Sequence, residues 1–432
     1  MSTAHLSVFS DKTMSPCDMH QAIDFGLPTS RCMSQAEYET RDPVDPRLLM
    51  HPTPMKIVAV EVCPLTGATV DGGWPQGHEP QENLHTLIAI RTSDGLTGWG
   101  SCFTSGKLIE GSVQLLWPLL KGESAVEPER VAEKLRQSSF WQGRGGSVEH
   151  AISGLDIALW DLMGQACGQP VSRLLGGNYR STIKPYGSIL FDEPTPLAQT
   201  LESVVARGFR AIKMGWRPFG RRNDRKFDEQ LIRTARQAVG PGVDLMVDAG
   251  GSEQFWPHGV NWAKNTAKML ADYNITWFEE PLPPDDIDGY AELTRVSPVP
   301  IAGGEVLTRR QAFMPWIERR AVDILQPDCT KNGGLSESRR IAWLAADHNV
   351  QVVPHGWNTA LGLAADLQFS AAMPVARYVE YLTPSAYIDG IMTEPFTLDS
   401  EGLLNIPCQP GLGVEVDEAK LKRFCPERIV FK

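Results

Sequence analysis

From about residue 182 the chain predicts an α/β fold of the (β/α)8-barrel type, and three observations carry that expectation. Short apolar runs alternate with amphipathic segments through eight units, at 184–190, 210–214, 243–248, 275–280, 300–305, 322–328, 351–355 and 377–380. Three consecutive runs end in acid: Leu245-Met246-Val247 leads into Asp248, Ile275-Thr276-Trp277-Phe278 into Glu279-Glu280, and Pro300-Ile301-Ala302-Gly303-Gly304 into Glu305. The acids lie 31 and then 26 residues apart, close to one βα unit per step. Beyond Pro395 the chain becomes loop-rich, so the barrel's last helix can be replaced by a tail that packs back on the N-terminal region.

Each run is short, rich in residues that suit a strand buried on both faces, and flanked by Pro or Gly. The region ahead of the barrel reads differently. Residues 57–62 alternate in polarity, and 86–90 pair with 96–100 across an Asp94-Gly95 turn, a strong hairpin signal. Between the first two strands lies a Gly/Pro/Trp-rich loop, 71–83, expected to be mobile. Helical patterns follow at 113–120, 128–139 and 149–166, the last with Ile152, Leu155, Leu159 and Leu162 at helical spacing. Residues 1–54 show no sustained periodicity, lack the apolar core of a secretory signal, and carry too many acids for a transit peptide. The expected organisation is a poorly ordered extension over 1–54, an α+β region over 55–180, the barrel over 181–394 and a C-terminal segment over 395–432.

Composition bounds the function. The 432 residues carry a net charge of -11 and 42% hydrophobic residues, which fits a soluble globular protein and argues against nucleic-acid and polybasic membrane binding. No apolar run is long enough to span a bilayer. The eight cysteines are scattered without a CxxC pair and read as buried free thiols in a cytoplasmic, reducing setting.

The chemistry is expected at the C-terminal strand ends, which in such a barrel open into one cup. Taken singly, Asp248, Glu279 and Glu305 would be ordinary helix caps. Converging from adjacent strands, they would repel one another unless a hard cation sat among them, and an all-oxygen set suits Mg2+, with Mn2+ as the other option. Four further strand ends carry reactive groups: Lys213 on the second strand, Asp328 on the sixth, His355 on the seventh and Glu380 on the eighth. A carboxylate bonded to one imidazole nitrogen fixes the tautomer and leaves the other nitrogen to move a proton. Lys213 could stabilise an anion or act as base, and Glu380 could donate a hydrogen bond to an oxygen that gains charge. These parts suit removal of a proton next to a substrate carboxylate.

At this point the chain resembles the enolase superfamily, and within it the mandelate racemase subgroup. The resemblance runs from residue 55 to about 425 and rests on Gly154-Leu155-Asp156-Ile157-Ala158-Leu159-Trp160-Asp161-Leu162, Val247-Asp248, Trp277-Phe278-Glu279-Glu280-Pro281, Gly303-Gly304-Glu305, Gln326-Pro327-Asp328 and Pro354-His355-Gly356. It implies a modified (β/α)7β barrel capped by an α+β domain built from the N-terminal region and the C-terminal tail. It also implies Asp248, Glu279 and Glu305 as Mg2+ ligands, an Asp328–His355 acid/base dyad, Glu380 as electrophile, loop 71–83 as specificity lid, and a homo-oligomer between dimer and octamer.

One departure matters. Members commonly carry Lys-x-Lys at the second strand end, whereas this chain has Lys213-Met214-Gly215. Positions 213 and 215 face the same side of a strand, so Gly215 removes the second inward amine, although it leaves Lys213 room to swing. Two-face proton exchange therefore loses weight against elimination, which needs a single competent acid/base residue. The expectation is dehydration of a sugar acid to a 2-keto-3-deoxy acid. The alternatives are a cycloisomerase or epimerase acting on a lactone, anhydro-acid or hydroxy acid, and a catalytically silent binding protein. Trp74, His78, Trp216, Arg217 and Trp357 are the candidate substrate contacts, with 216–219 equally readable as a packed loop.

Overall fold

A sheet in which residues 60–62 pair with residues 429–431 caps the barrel. The structure is a computed structural model and describes residues 55–70, 84–216, 218–252 and 255–432. The expectations for residues 1–54, for loop 71–83 with Trp74 and His78, and for Arg217 lie outside the described residues. Strands β1 (Ile57–Pro64), β2 (His85–Thr92) and β3 (Thr97–Phe103) form an antiparallel meander. The β2–β3 hairpin turns at Gly95, whose φ of 84° is a left-handed value that glycine adopts without a Cβ penalty.

Three helices follow, α1 (Gly106–Leu120), α2 (Pro128–Ser138) and α3 (Ser147–Cys167). Helix α3 lies almost against the β3 backbone. A Cβ added at Gly100 would fall 2.0 Å from the Gly154 carbonyl oxygen, and one added at Gly154 would meet Cys102 Sγ at 2.3 Å. Only glycine permits that approach, and it lets Ile88, Cys102, Ile152, Leu155 and Leu159 close into one cap core.

The barrel alternates β4 (Thr182–Leu190), α4 (Pro194–Ala206), β5 (Ala211–Gly215), α5 (Arg225–Val239), β6 (Asp244–Asp248), α6 (Val260–Ala271), β7 (Ile275–Glu279), α7 (Ile287–Val296), β8 (Ile301–Gly303), α8 (Arg309–Glu318), β9 (Ile324–Leu325), α9 (Gly334–Asp347), β10 (Gln351–Val352), α10 (Ala360–Ala372) and β11 (Tyr378–Leu382). Each strand pairs in parallel with the next, β11 pairs with β4, and a parallel bridge between Val352 and Ala376 closes the ring. The chain is therefore a modified (β/α)7β barrel with an α+β cap. After β11 the tail adds β12 (Leu404–Asn405) antiparallel to β4, and β13 (Ile429–Phe431) pairs with β1 as the edge of the cap sheet.

The later strands are shorter than their apolar runs suggest. β8 stops at Gly303 because Gly304 turns left-handed at φ 110°. β9 and β10 stop early where Pro327 and Pro354, which carry no N–H, interrupt the ladder. The expectation of buried thiols holds for Cys63, Cys102, Cys329 and Cys425, but Cys167 and Cys408 are exposed. Cys167 ends α3, and Cys408 sits on the loop-rich tail, where there is little core to cover them. Among the described residues no helix is long and apolar enough to cross a membrane.

Candidate active site

The barrel places its chemistry by counting in twos. An apolar plug fills the interior, made of Tyr186, Ala211, Met246, Trp277, Ala302, Ile324 and Val353 with Tyr378 against them. Side chains on a strand return to the same face every second residue. Two positions further toward the C-terminal ends, that face presents Ser188, Lys213, Asp248, Glu279, Gly304, Gln326, His355 and Glu380. The plug shuts the barrel from below, so the polar layer opens only upward, toward the cap.

Asp248, Glu279 and Glu305 meet there. One oxygen from each lies within 4.8 Å of the others, and all three side chains are buried. The three acids converge as the sequence requires, although Glu305 comes from the turn beyond β8 rather than from the strand itself. Burial, reinforced by Glu279 and Glu305, raises the Asp248 pKa well above the ordinary carboxylate range. Burial likewise raises Glu279, against the pull of Lys213. Carboxylates crowded like this ask for a positive charge, and a divalent cation would reverse the shift. Clustering, all-oxygen donors and burial fit a hard metal ion.

Part of that positive charge comes from Lys213. Its Nζ lies 2.5 Å from Glu279 Oε1, 3.1 Å from Glu380 Oε1 and 3.8 Å from Asp248 Oδ2. Burial works to lower its pKa, but the surrounding carboxylates outweigh it and hold the ammonium well above its usual value. The space left by Gly215 is bounded by Asp248, whose Oδ2 would stand 3.1 Å from an added Cβ, and Lys213 leans to Glu279 and Glu380 instead of filling it.

Glu380 accepts at Oε2 from Gly356 N–H at 2.7 Å and from the Tyr186 hydroxyl at 3.1 Å. Burial pushes its pKa up, yet Lys213 and His355 outweigh that and bring it down to about 2. In this arrangement Glu380 is a charged acceptor. The donor role expected from the sequence needs a proton on Oε1 and a shift of Lys213.

The dyad is formed. His355 Nδ1 lies 2.8 Å from Asp328 Oδ2, and His355 Nε2 faces Glu305 Oε2 at 3.2 Å. Asp328 is held in place by Thr330, whose N–H and hydroxyl donate to Oδ1 at 2.7 and 2.6 Å. Burial would raise Asp328, but His355 and Lys331 overcome it and set its pKa at about 2. Burial alone would lower His355, whereas Glu305 and the other acids shift it upward overall.

These groups open on a cavity of about 210 Å³. Of the expected residues, Lys213, Asp248, Glu305, His355, Trp216 and Trp357 line it, while Glu279 and Glu380 are fully buried and do not. The 216–219 loop divides its labour: Trp216 turns into the cavity at φ 68°, and Phe219 packs in the core, stacked on Phe191 at 5.1 Å. Phe103, Ser252, Val306 and Lys331 also line the cavity and were not anticipated. Lys331 follows the acid of the sixth strand by three residues, a spacing that could have flagged it. Phe103 had no such signal, because its position depends on how the cap docks. Its N–H bonds the Thr330 carbonyl at 3.4 Å.

The Gly154–Leu162 motif lies outside the cup and joins cap to barrel. Asp156 accepts from Ser336 N–H at 3.0 Å and from its hydroxyl at 2.5 Å, and Trp160 Nε1 donates to the same hydroxyl at 2.9 Å. Asp161 accepts from the backbone N–H groups of Trp99 and Leu412 at 2.9 and 2.8 Å, tying the tail to α3 and β3.

Residues 196–420 match the enolase C-terminal domain-like family, and residues 78–176 match the N-terminal domain of mandelate racemase and muconate lactonizing enzyme. D-galactarolactone cycloisomerase of Agrobacterium fabrum is 35% identical over 79% of this chain and 91% of that protein. D-xylonate dehydratase of Haloferax volcanii is 30% identical over 83% and 87%. Among solved structures, the 3,6-anhydro-D-galactonate cycloisomerase of Zobellia galactanivorans superposes with a TM-score of 0.76 at 31% identity, covering 85% of this chain and 99% of that one. The motifs, the capped barrel and these likenesses agree: the chain belongs to the mandelate racemase and muconate lactonizing enzyme family of the enolase superfamily.

Proposed function

We propose that this enzyme removes the proton α to the carboxylate of a sugar acid and expels the oxygen on the β-carbon, giving a 2-keto-3-deoxy acid. The observation that carries the reading is one oriented imidazole, His355 on Asp328, facing a buried carboxylate triad across a single cavity. Asp248, Glu279 and Glu305 would hold Mg2+, with Mn2+ as the alternative, and the bound cation would supply the charge that acidifies the C–H bond beside the substrate carboxylate.

The chain's own groups do the rest. Asp328 keeps the Nδ1 proton of His355 in place, so Nε2, which faces Glu305 at 3.2 Å, is the nitrogen left to take the α-proton. The imidazolium then returns that proton to the departing hydroxyl on the same face. Lys213, held by Glu279 and Glu380, keeps a fixed positive charge under the carbon acid as negative charge develops. The apolar plug below the site excludes water from the opposite side. With Gly215 in place of an inward amine, a base on the second face is missing, which favours elimination over racemisation.

A second reading has specific support, namely the likeness to two cycloisomerases. Opening a sugar lactone or an anhydro-acid ring by β-elimination uses the same base and the same face; the leaving group is a carboxylate from the lactone and an alkoxide, protonated by the imidazolium, from the anhydro ring. Incubation with aldonic acids, aldaric acids and their lactones in D2O with Mg2+ separates the possibilities. Keto acid, detected with semicarbazide, from an open-chain acid supports dehydration, and product from lactones alone supports cycloisomerisation. If the whole panel stays unchanged with metal bound, the proposal fails.

A further inference from the structure

We propose that Lys331 contacts the substrate directly and hydrogen-bonds the oxygen that leaves the β-carbon. The inference rests on the elimination reading above and adds the group that receives the leaving oxygen.

Lys331 is 5% exposed, and that exposure opens on the cavity. Its Nζ makes only two polar approaches among the described residues, 3.7 Å to Asp328 Oδ2 and 3.8 Å to Glu305 Oε1, both beyond hydrogen-bond length. A buried ammonium with donors left over is costly unless something else accepts them. The Phe103 ring lies against it at 4.1 Å, on a strand that is itself docked on Thr330, so the ammonium is backed on that side and its remaining donors face the cavity. Lys213 is in a different position, since it donates to Glu279 Oε1 at 2.5 Å and pairs in charge with Glu380 at 3.1 Å.

Geometry also puts Lys331 beside the base. His355 and Lys331 share two carboxylates: His355 Nδ1 is 2.8 Å and Lys331 Nζ 3.7 Å from Asp328 Oδ2, while both reach Glu305, at 3.2 and 3.8 Å. With a single acid/base residue, the α-hydrogen and the departing oxygen must leave from the same face. An oxygen on the His355 side is then within reach of the neighbouring ammonium. As the C–H bond breaks, its electron pair forms the new C=C bond, and the C–O pair goes to the oxygen. A departing hydroxyl receives its proton from the imidazolium, whereas a departing lactone carboxylate needs none and the imidazolium gives its proton up to solvent; in both cases the enol left behind tautomerises to the keto acid, losing its O–H proton as the β-carbon gains one. Lys331 keeps its own proton in both cases and stabilises the charge on the oxygen by hydrogen bonding.

The test uses full-length enzyme with Mg2+ in D2O and the acid or lactone that the wild type converts. Exchange of the α-hydrogen is read by NMR and keto acid by semicarbazide, for wild type, Lys331→Met, Lys331→Gln and Lys331→Arg. Expected is a loss of product of about 100-fold in the Met and Gln variants. Exchange into unreacted substrate should persist within about tenfold, and Arg should recover part of the product. A parallel fall of exchange and product in both Met and Gln would overturn the proposal, because it would confine Lys331 to tuning the dyad. So would unchanged product formation. A wild type that exchanges the α-hydrogen but forms no keto acid from any panel member would overturn the elimination reading and this inference together. That failure is read on the wild type alone and is distinct from the other two.

Discussion

Two sets of buried carboxylates can be set side by side, one in the barrel cup and one on the cap helix α3. Both are almost completely buried, yet they are satisfied in opposite ways. Asp156 and Asp161 stand apart, each collecting neutral donors from a serine or from backbone N–H groups. Burial pushes them up to about 7 and about 6, moderated by those hydrogen bonds. Asp248, Glu279 and Glu305 point at one another, and their charge is met only in part, by Lys213 and Lys331. Dispersed and capped acids hold two layers together. Converging acids with a shortfall of positive charge make a site for a cation.

The comparison can be broken first at the cup. His355→Asn removes the proton carrier and its 3.2 Å contact with Glu305 but leaves all three carboxylates in place, so α-proton exchange should drop by about 10²–10⁴-fold while Mg2+ affinity by calorimetry stays nearly constant. Wild-type turnover in that variant would exclude His355 as the base. Glu305→Gln should weaken Mg2+ binding by at least about tenfold, and an unaltered calorimetric affinity would mean the third ligand lies elsewhere.

The smallest effect belongs to the cap. Asp156 has a folded pKa raised from 3.8 to about 7, so the folded state holds a proton that the unfolded chain gives up earlier. Its contribution to stability is fully present below about pH 4 and is lost as the pH rises through about 7. The difference in Tm between wild type and Asp156→Asn should therefore narrow across that window, with metal affinity unchanged. A Tm difference that is flat with pH would show that Asp156 does not carry the proton.

Much of this layout was legible because two periodicities coincide. Strand alternation put Lys213, Asp248, Glu279, His355 and Glu380 on the inner face, and the spacing of the units put Asp248, Glu279 and Glu305 at neighbouring strand ends. Phe103 escaped because it meets Lys331 only through docking of the cap on the loop after β9, a contact between segments more than 200 residues apart that leaves no local pattern, whereas Lys331 itself lay in view three residues past Asp328. The Gly154–Leu162 motif was the reverse case. It was readable as a family mark, while its physical task, seating α3 on β3 and on Ser336, required coordinates.

The edge strand β13 has a consequence for how the chain matures. It supplies the outer neighbour of β1, at Val60–Phe431 and Glu61–Val430, although the entire barrel is synthesised between them. A nascent cap emerging from the ribosome therefore carries an uncovered β1 edge until residues 429–431 appear, and such edges invite pairing with other chains.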